Sequence, residues 1–531
     1  MHWKTLKEAR RKLAGEQGTI FKDWGGKLAI ALVYPNTYSV GMSNLGFQAI
    51  YGLINRSEST VCERVFCEGH EPVSLESERP LGDFDALAFS FPYEQDYFNA
   101  VRLLKSSDIP PFVADRDKRH PLIIAGGAAV TANPEPLASI IDCFAIGEAE
   151  AILPHLIPVL SDGMESPREQ LLNALAGIPG VYVPNVSRNP VGREAASDLS
   201  DFTTGSVVLT RETELGDMYL MEIARGCARG CRFCLAGYQF RPLRYRPVER
   251  LLEQARQGME YRDRVGLVSA AISDHPQIDE LVTGLRNMGA GFSVSSIRIK
   301  PLSETLLKGL AESGTKTVTL APEAGSERLR QVISKGVSED DIFRAAEKVA
   351  AHGFGQVKLY FMIGLPTETD DDAAEIVRLA LMVKDIVEKH NSAARLTLNV
   401  TPFVPKAGTP FQWLPMSTPA DLKHRLGLLN KGLSPRGIEV KTESFEWSTV
   451  QGMLSRGDRR IGRALEGMPK ISLAAWHRAL EETGIDPETV HREIPAGEAL
   501  PWSVVDSGTS AERLRAEFER AMRCEVLTAK R

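Results

Sequence analysis

Cysteine is scarce and its count is odd, seven in 531 residues. So sparse a set argues against a disulfide scaffold and for a reducing compartment, the cytoplasm. Long apolar runs are missing as well; the longest, such as LAIALVY, fall well short of a membrane span. The opening stretch MHWKTLKEARRKLAG carries charge where a secretory signal needs an apolar core. Charge of one sign is not in excess. A formal net charge of −6 gives no reason for nonspecific binding to DNA or to a membrane surface, although local basic patches stay open. These absences leave an ordinary soluble chain, long enough for two or three domains.

Three zones follow along the chain. The first, residues 1–195, alternates short β-rich apolar runs with helical stretches. Strands are expected at Leu28–Tyr34, Ala86–Phe91, Leu122–Ala125 and Cys143–Ile146, with helices at Tyr97–Lys105 and Ile152–Leu160. Apolar runs alternating with helices predict a parallel sheet covered on both faces, a Rossmann-like domain. Glycines or prolines follow several strand ends, as in FSFP, IIAGG and AIGEAE, on the edge where such sheets hold ligands. A bare strand-to-helix turn explains IIAGG equally well. The polar stretch RNPVGREAASDLSD (188–201) is expected to be a linker.

The second zone, residues 205–435, contains six strand-like runs: Tyr219–Ile223, Val265–Ser269, Phe292–Ile297, Thr317–Ala321, Val357–Phe361 and Leu396–Val400. Helical segments separate them at Val248–Tyr261, Ile278–Met288, Ser303–Ser313, Ser338–His352 and Asp371–Lys389. Six strand-then-helix repeats predict a partial (β/α)6 barrel of TIM type, whose reactive groups sit at the C-terminal strand ends. CARGCRFC (227–234) lies just there, after the first strand, and gathers Cys227, Cys231 and Cys234 within eight residues. Zinc ordinarily takes four protein ligands in paired units, and no second pair is in view; His275 or a distant cysteine could complete a site without support from spacing. An iron–sulfur cube needs one thiolate per iron, so three cysteines leave one iron open to substrate or cofactor. Buried thiols or structural zinc are the competing readings. Arg225, Arg229 and Arg232 place positive charge by the thiolates or, read one by one, are solvated loop arginines.

The stretch MEIARGCARGCRFCLAG, with C-x-x-x-C-x-x-C after the first strand of a six-unit barrel, resembles the radical S-adenosylmethionine (SAM) enzymes. Further resemblance lies in SSIRIKPLSETLLKGLAESG, TVTLAPEAGSERLRQVISKG, VKLYFMIGLPTET and TPFVPKAGTPFQW. It implies that Cys227, Cys231 and Cys234 ligate a 4Fe-4S cluster, that SAM occupies the open iron, and that electron transfer yields a deoxyadenosyl radical. It also implies that Phe233 packs near adenine, Glu323 lies near the ribose and methionyl groups, and Lys335 pairs with the SAM carboxylate as a point charge. Gly364, Leu365 and Pro366 would shape the turn facing adenine. VGLVSAAISDHP departs from the family's glycine-rich segment after the second strand, with serines and alanines in place of the glycines.

PLIIAGGAAVTANPEPLASIIDCFAIGEAEAIL resembles the end of the cobalamin-binding domain that precedes many radical SAM barrels. That implies possible cobalamin near Gly126 and Gly127, although D-x-H-x-x-G is absent. The third zone, 436–531, is expected to be a mixed, mostly helical region. It carries a basic group, Arg456, Arg459 and Arg460, on one helix, and a terminal helix begins near Ser510. The resemblance implies a radical SAM enzyme acting on an unidentified substrate, with cobalamin-assisted methylation as one outcome. An electron donor such as flavodoxin or ferredoxin is implied as partner. The alternatives are an RNA- or tRNA-modifying radical SAM enzyme, docked by the basic group, and a non-catalytic iron–sulfur or cobalamin-binding regulator. Cys62, Cys67 and Cys143 are too scattered to argue for a second cluster.

Overall fold

A computed structural model describes residues 3–69, 72–200, 202–495 and 497–523. The chain divides into two compact units: residues 1–218, 453–487 and 498–508 form one, and residues 219–452, 488–497 and 509–531 the other. Residues 436–531 therefore supply segments to both. No helix among the described residues is long and apolar enough to cross a membrane.

The first unit is built on a six-stranded sheet. Its spatial order is Thr60–Phe66, Leu28–Tyr34, Ala86–Ser90, Leu122–Gly126, Cys143–Ala145 and Val181–Tyr182, with every pairing parallel except the last. All seven residues of LAIALVY are buried, as a strand covered on both faces requires. The chain reverses its direction of winding between Leu28–Tyr34 and Ala86–Ser90, the switch point of a doubly wound fold. Two strands were not expected. Thr60–Phe66 hides Arg64 at zero side-chain exposure by pairing it with Glu16 at 2.6 Å and Glu76 at 2.7 Å, both contributed from elsewhere in the chain. Val181–Tyr182 is only two residues long.

The polar stretch 188–201 is not a free linker among its described residues; its last residue, Asp201, lies outside them. Val191–Gly192 pairs with Val505–Asp506, Glu194 exchanges backbone hydrogen bonds with Ile146 and Glu148, and the Ala196 N–H donates to the Glu148 carboxylate. Main-chain pairing, which side-chain polarity does not reveal, ties it to the unit.

In the second unit all six expected strand–helix repeats form. Gly291–Val294, Arg264–Val268 and Tyr219–Glu222 make one parallel sheet, and Thr317–Glu323, Gln356–Ile363, Arg395–Pro402 and Glu439–Thr442 another. A backbone hydrogen bond from Ile297 to Thr319, 3.3 Å, runs from the chain after Val294 to the first strand of the second sheet. The two sheets give a partial barrel rather than a closed ring. Glu439–Thr442 is an additional strand, polar and largely exposed, beyond the sixth repeat. Helix starts are chemically marked: Ser338 with Asp341, and Thr369 with Asp372, cap their helices reciprocally. Asp370, Asp371 and Asp372 face the positive end of the long helix Asp370–His390.

Candidate functional site

The first strand, Tyr219–Glu222, ends in Glu222, which is gripped by Arg225 at 2.9 Å and Arg246 at 2.7 Å. Burial works against its charge, but the two guanidiniums hold its pKa below the usual carboxylate range. Ala224–Arg225 pairs antiparallel with Arg244–Tyr245, closing the base of the cysteine loop. Gly226 opens that loop at φ +93, where an added Cβ would stand 2.1 Å from the Phe240 carbonyl oxygen and 2.8 Å from that of Pro242. Glycine there is a condition for the loop to pass. Gly226→Ala is therefore expected to cost on the order of 1–3 kcal/mol from backbone strain alone, read as a lower thermal midpoint together with lower iron uptake.

The loop delivers Cys227, Cys231 and Cys234 to a cavity of about 310 Å³, at the small end of the range for ligand pockets. Phe233, Glu323 and Lys335 line the same cavity. Burial pushes the Cys231 thiol up to about 11, with Lys335 pulling the other way, and also raises the Cys234 thiol. Metal coordination would have to displace those protons. Among the described residues no three cysteine, histidine or carboxylate groups are placed to hold a single ion. Convergence on one ion is what zinc demands, whereas a cube takes one thiolate per iron. His275 is committed elsewhere: its ring bonds the Arg246 carbonyl at 3.1 Å and the Gln277 N–H at 3.2 Å, and burial lowers its pKa.

Glu323 ends the fourth strand at φ +68, past an irregularity in the pairing that follows Leu320. A glutamate held left-handed is uncommon, and such residues cluster at functional sites. Lys335 donates to Glu323 Oε1 at 3.0 Å, so these two expected residues meet in the cavity wall. Gly364 and Pro366 are not among the residues lining it. Gly364, at φ +77, donates its N–H to Glu368 at 2.5 Å and packs against Ser417 and Leu422. Ser269, Ala270 and Ala271 do line the cavity, so small side chains leave room where the family has glycines.

The arginines of the loop are not solvated alike. Arg229 lines the cavity and binds Asp274 at 2.8 Å. Arg232 is fully buried, donating to the Gln331 and Val332 carbonyls and to Glu517 of the helix Ala511–Met522. Phe233, like Phe518, packs against a core containing Leu329 and Ile333. Two contributors went unseen in the sequence, Glu517 and Arg298. The latter sits just past the third strand, lines the cavity and reaches Cys227.

In the first unit, Gly126 would carry a Cβ with nothing nearer than 3.7 Å, whereas at Gly127, φ +108, a Cβ would meet the Phe91 carbonyl oxygen at 2.6 Å. The need for glycine at 127 is met inside the fold. The basic group is likewise engaged. Arg456 is buried, which lowers its pKa to about 10; Arg459 binds Glu135 at 3.0 Å and Arg460 binds Asp458 at 2.8 Å. Arg459 and Arg460 reach solvent as ion pairs, and the helix breaks, with Phe445–Arg456 and Ile461–Glu466 on either side of Gly457. Cys62 and Cys143 are buried in strands, with thiols pushed up by burial.

Comparison with known proteins agrees with this arrangement. Residues 221–380 match the family described as the radical SAM superfamily, and residues 46–184 match radical SAM proteins, N-terminal. An uncharacterised protein of Methanocaldococcus jannaschii is 32% identical over 443 residues, covering 82% of this chain and 90% of its own. The chain belongs to the radical SAM superfamily. It is thus a radical SAM enzyme, of a family that uses a 4Fe-4S cluster and SAM. An uncharacterised methyltransferase of Pyrococcus horikoshii is 26% identical over 293 residues, which are 50% of this radical SAM chain and 59% of that protein. The structure of the cobalamin-dependent SAM radical enzyme OxsB in its apo form shares the fold at TM-score 0.51 and 14% identity, over 94% of this chain and 80% of that one.

Proposed function

We propose that Cys227, Cys231 and Cys234 hold a 4Fe-4S cluster, and that the cavity beside them seats SAM for hydrogen abstraction from an unactivated carbon. One observation carries the reading: the three thiols, Phe233 and the Glu323–Lys335 pair line a single cavity. The donor set fits the group, since three cysteines on a tight loop leave one iron without a protein ligand. When bound, the cluster supplies one electron to SAM, whose cleavage gives the deoxyadenosyl radical. The chain's own part is positioning. Lys335 offers its ammonium to the SAM carboxylate, Glu323 accepts from ribose or amine groups, and Phe233 presents a ring edge or face to adenine. Ser269 to Ala271 leave space for the methionyl part. Cys227 and Cys231, both buried, would be shielded from bulk water.

Cobalamin in the first unit is the second element of the proposal. Its support is the fold held in common with OxsB, whose structure with aqua-cobalamin bound matches at TM-score 0.50 over 94% of this chain. It gains nothing from Gly127, whose space Phe91 fills. Methylcobalamin, when bound, supplies a methyl group, so carbon methylation is the reaction class proposed. The Pyrococcus relative, named as a methyltransferase, points the same way. A cytoplasmic setting with a flavodoxin- or ferredoxin-type donor suits a thiolate cluster. Anaerobic reconstitution with iron, sulfide, dithionite and SAM is expected to release deoxyadenosine, and the protein is expected to retain about one equivalent of added cobalamin through desalting. Release without retained cobalamin would remove methylation and keep the radical chemistry.

A further inference from the structure

We propose that Arg298 is a positioning residue that sets the electron affinity of the cluster through its contact with Cys227. The inference rests on the reading that Cys227 is a cluster ligand. Arg298 follows the third strand, and its backbone N–H is held by Ser273 Oγ at 3.3 Å. Its Nη2 donates toward Cys227 Sγ at 3.5 Å, and its Nε lies 3.1 Å from Asp274 Oδ2. Asp274, 7% exposed, also takes both Nε and Nη2 of Arg229, at 3.1 and 2.8 Å. Two guanidiniums thus share one carboxylate, leaving one net positive charge at the cysteine loop. The other charged groups of the cavity are otherwise engaged: Lys335 pairs with Glu323, and Lys300 reaches Asp341 at 3.4 Å.

Reduction adds one electron to a thiolate-bound cluster. Hydrogen bonds to sulfur and nearby positive charge favour the reduced form, and these are the protein's means of moving a cluster potential. Asp274 orients Arg298 and at the same time cancels part of its field. Losing the arginine and losing the aspartate should therefore shift the potential in opposite directions. A residue that only maintained the loop would give no such sign reversal.

The test is a dye-mediated dithionite titration of reconstituted protein without SAM, followed by electron paramagnetic resonance, with iron and sulfide counted per chain. Arg298→Gln is expected to lower the reduced-to-oxidised ratio at the wild-type midpoint about tenfold, a downward shift of about 59 mV for one electron. Arg298→Lys should fall between, and Asp274→Asn should move upward. Full iron with an unchanged midpoint in Arg298→Gln overturns the inference and leaves the proposed function standing. If Arg298→Gln holds no iron, Arg298→Lys decides: a downward shift at full iron sustains the inference and an unchanged midpoint overturns it. Wild-type protein that takes up no iron and sulfide defeats the proposed function itself, and with it this inference.

Discussion

Cys231→Ala protein, reconstituted anaerobically, is expected to release no more deoxyadenosine from SAM than a control without enzyme. It should also bind less iron than the wild type. Cys231 is buried in the wall of the cavity, and an alanine fills most of its volume, so the fold should survive and far-ultraviolet circular dichroism should not change. The chemistry should not survive. Three thiolates are the minimum that holds a cube while leaving one iron for SAM, and with two the cube has two unprotected corners. The metal-free thiol is pushed up to about 11 and is protonated at neutral pH, so iron uptake by the wild type should release protons that the variant cannot supply. Deoxyadenosine release undiminished by the substitution would take the cysteine loop out of the reaction altogether.

Arg232→Met should destabilise the second unit by about 3 kcal/mol, the lower end of the range for breaking a buried ion pair by removing one partner. The lower end applies because Glu517 keeps Arg520 at 2.8 Å after Arg232 is gone. The change also strips donors from the Gln331 and Val332 carbonyls, which close the helix Glu327–Val332. Thermal denaturation of the metal-free protein would show the loss, and cluster retention during desalting should fall with it, because residue 232 lies between two of the cysteines. A thermal midpoint equal to the wild type would mean that Arg232 is dispensable to the loop.

Much of the barrel could be read from the chain because its signals are local. Each strand–helix repeat carries its own apolar period, and the three cysteines lie within one turn of loop. What escaped depends on partners distant in sequence. Thr60–Phe66 carries Arg64 inward, and the groups that neutralise it, Glu16 and Glu76, come from outside the strand. Glu439–Thr442 has only a half-buried Val440 to announce it and joins the sheet by main-chain pairing with Thr397–Val400. Arg298 stands 71 residues from the sulfur it contacts, and nothing in SSIRIKP distinguishes it from a solvated arginine. Arg456, Arg459 and Arg460 read as a cationic face because Glu135, which binds Arg459, is 324 residues away.

The tie between Arg232 and Glu517 spans 285 residues. A ribosome reading this message therefore exposes the cysteine-bearing loop long before it makes the helix that braces it. On the proposed function, iron delivered during synthesis would meet an unbraced hairpin, and a nascent chain stalled before Ala511 is expected to bind iron only loosely.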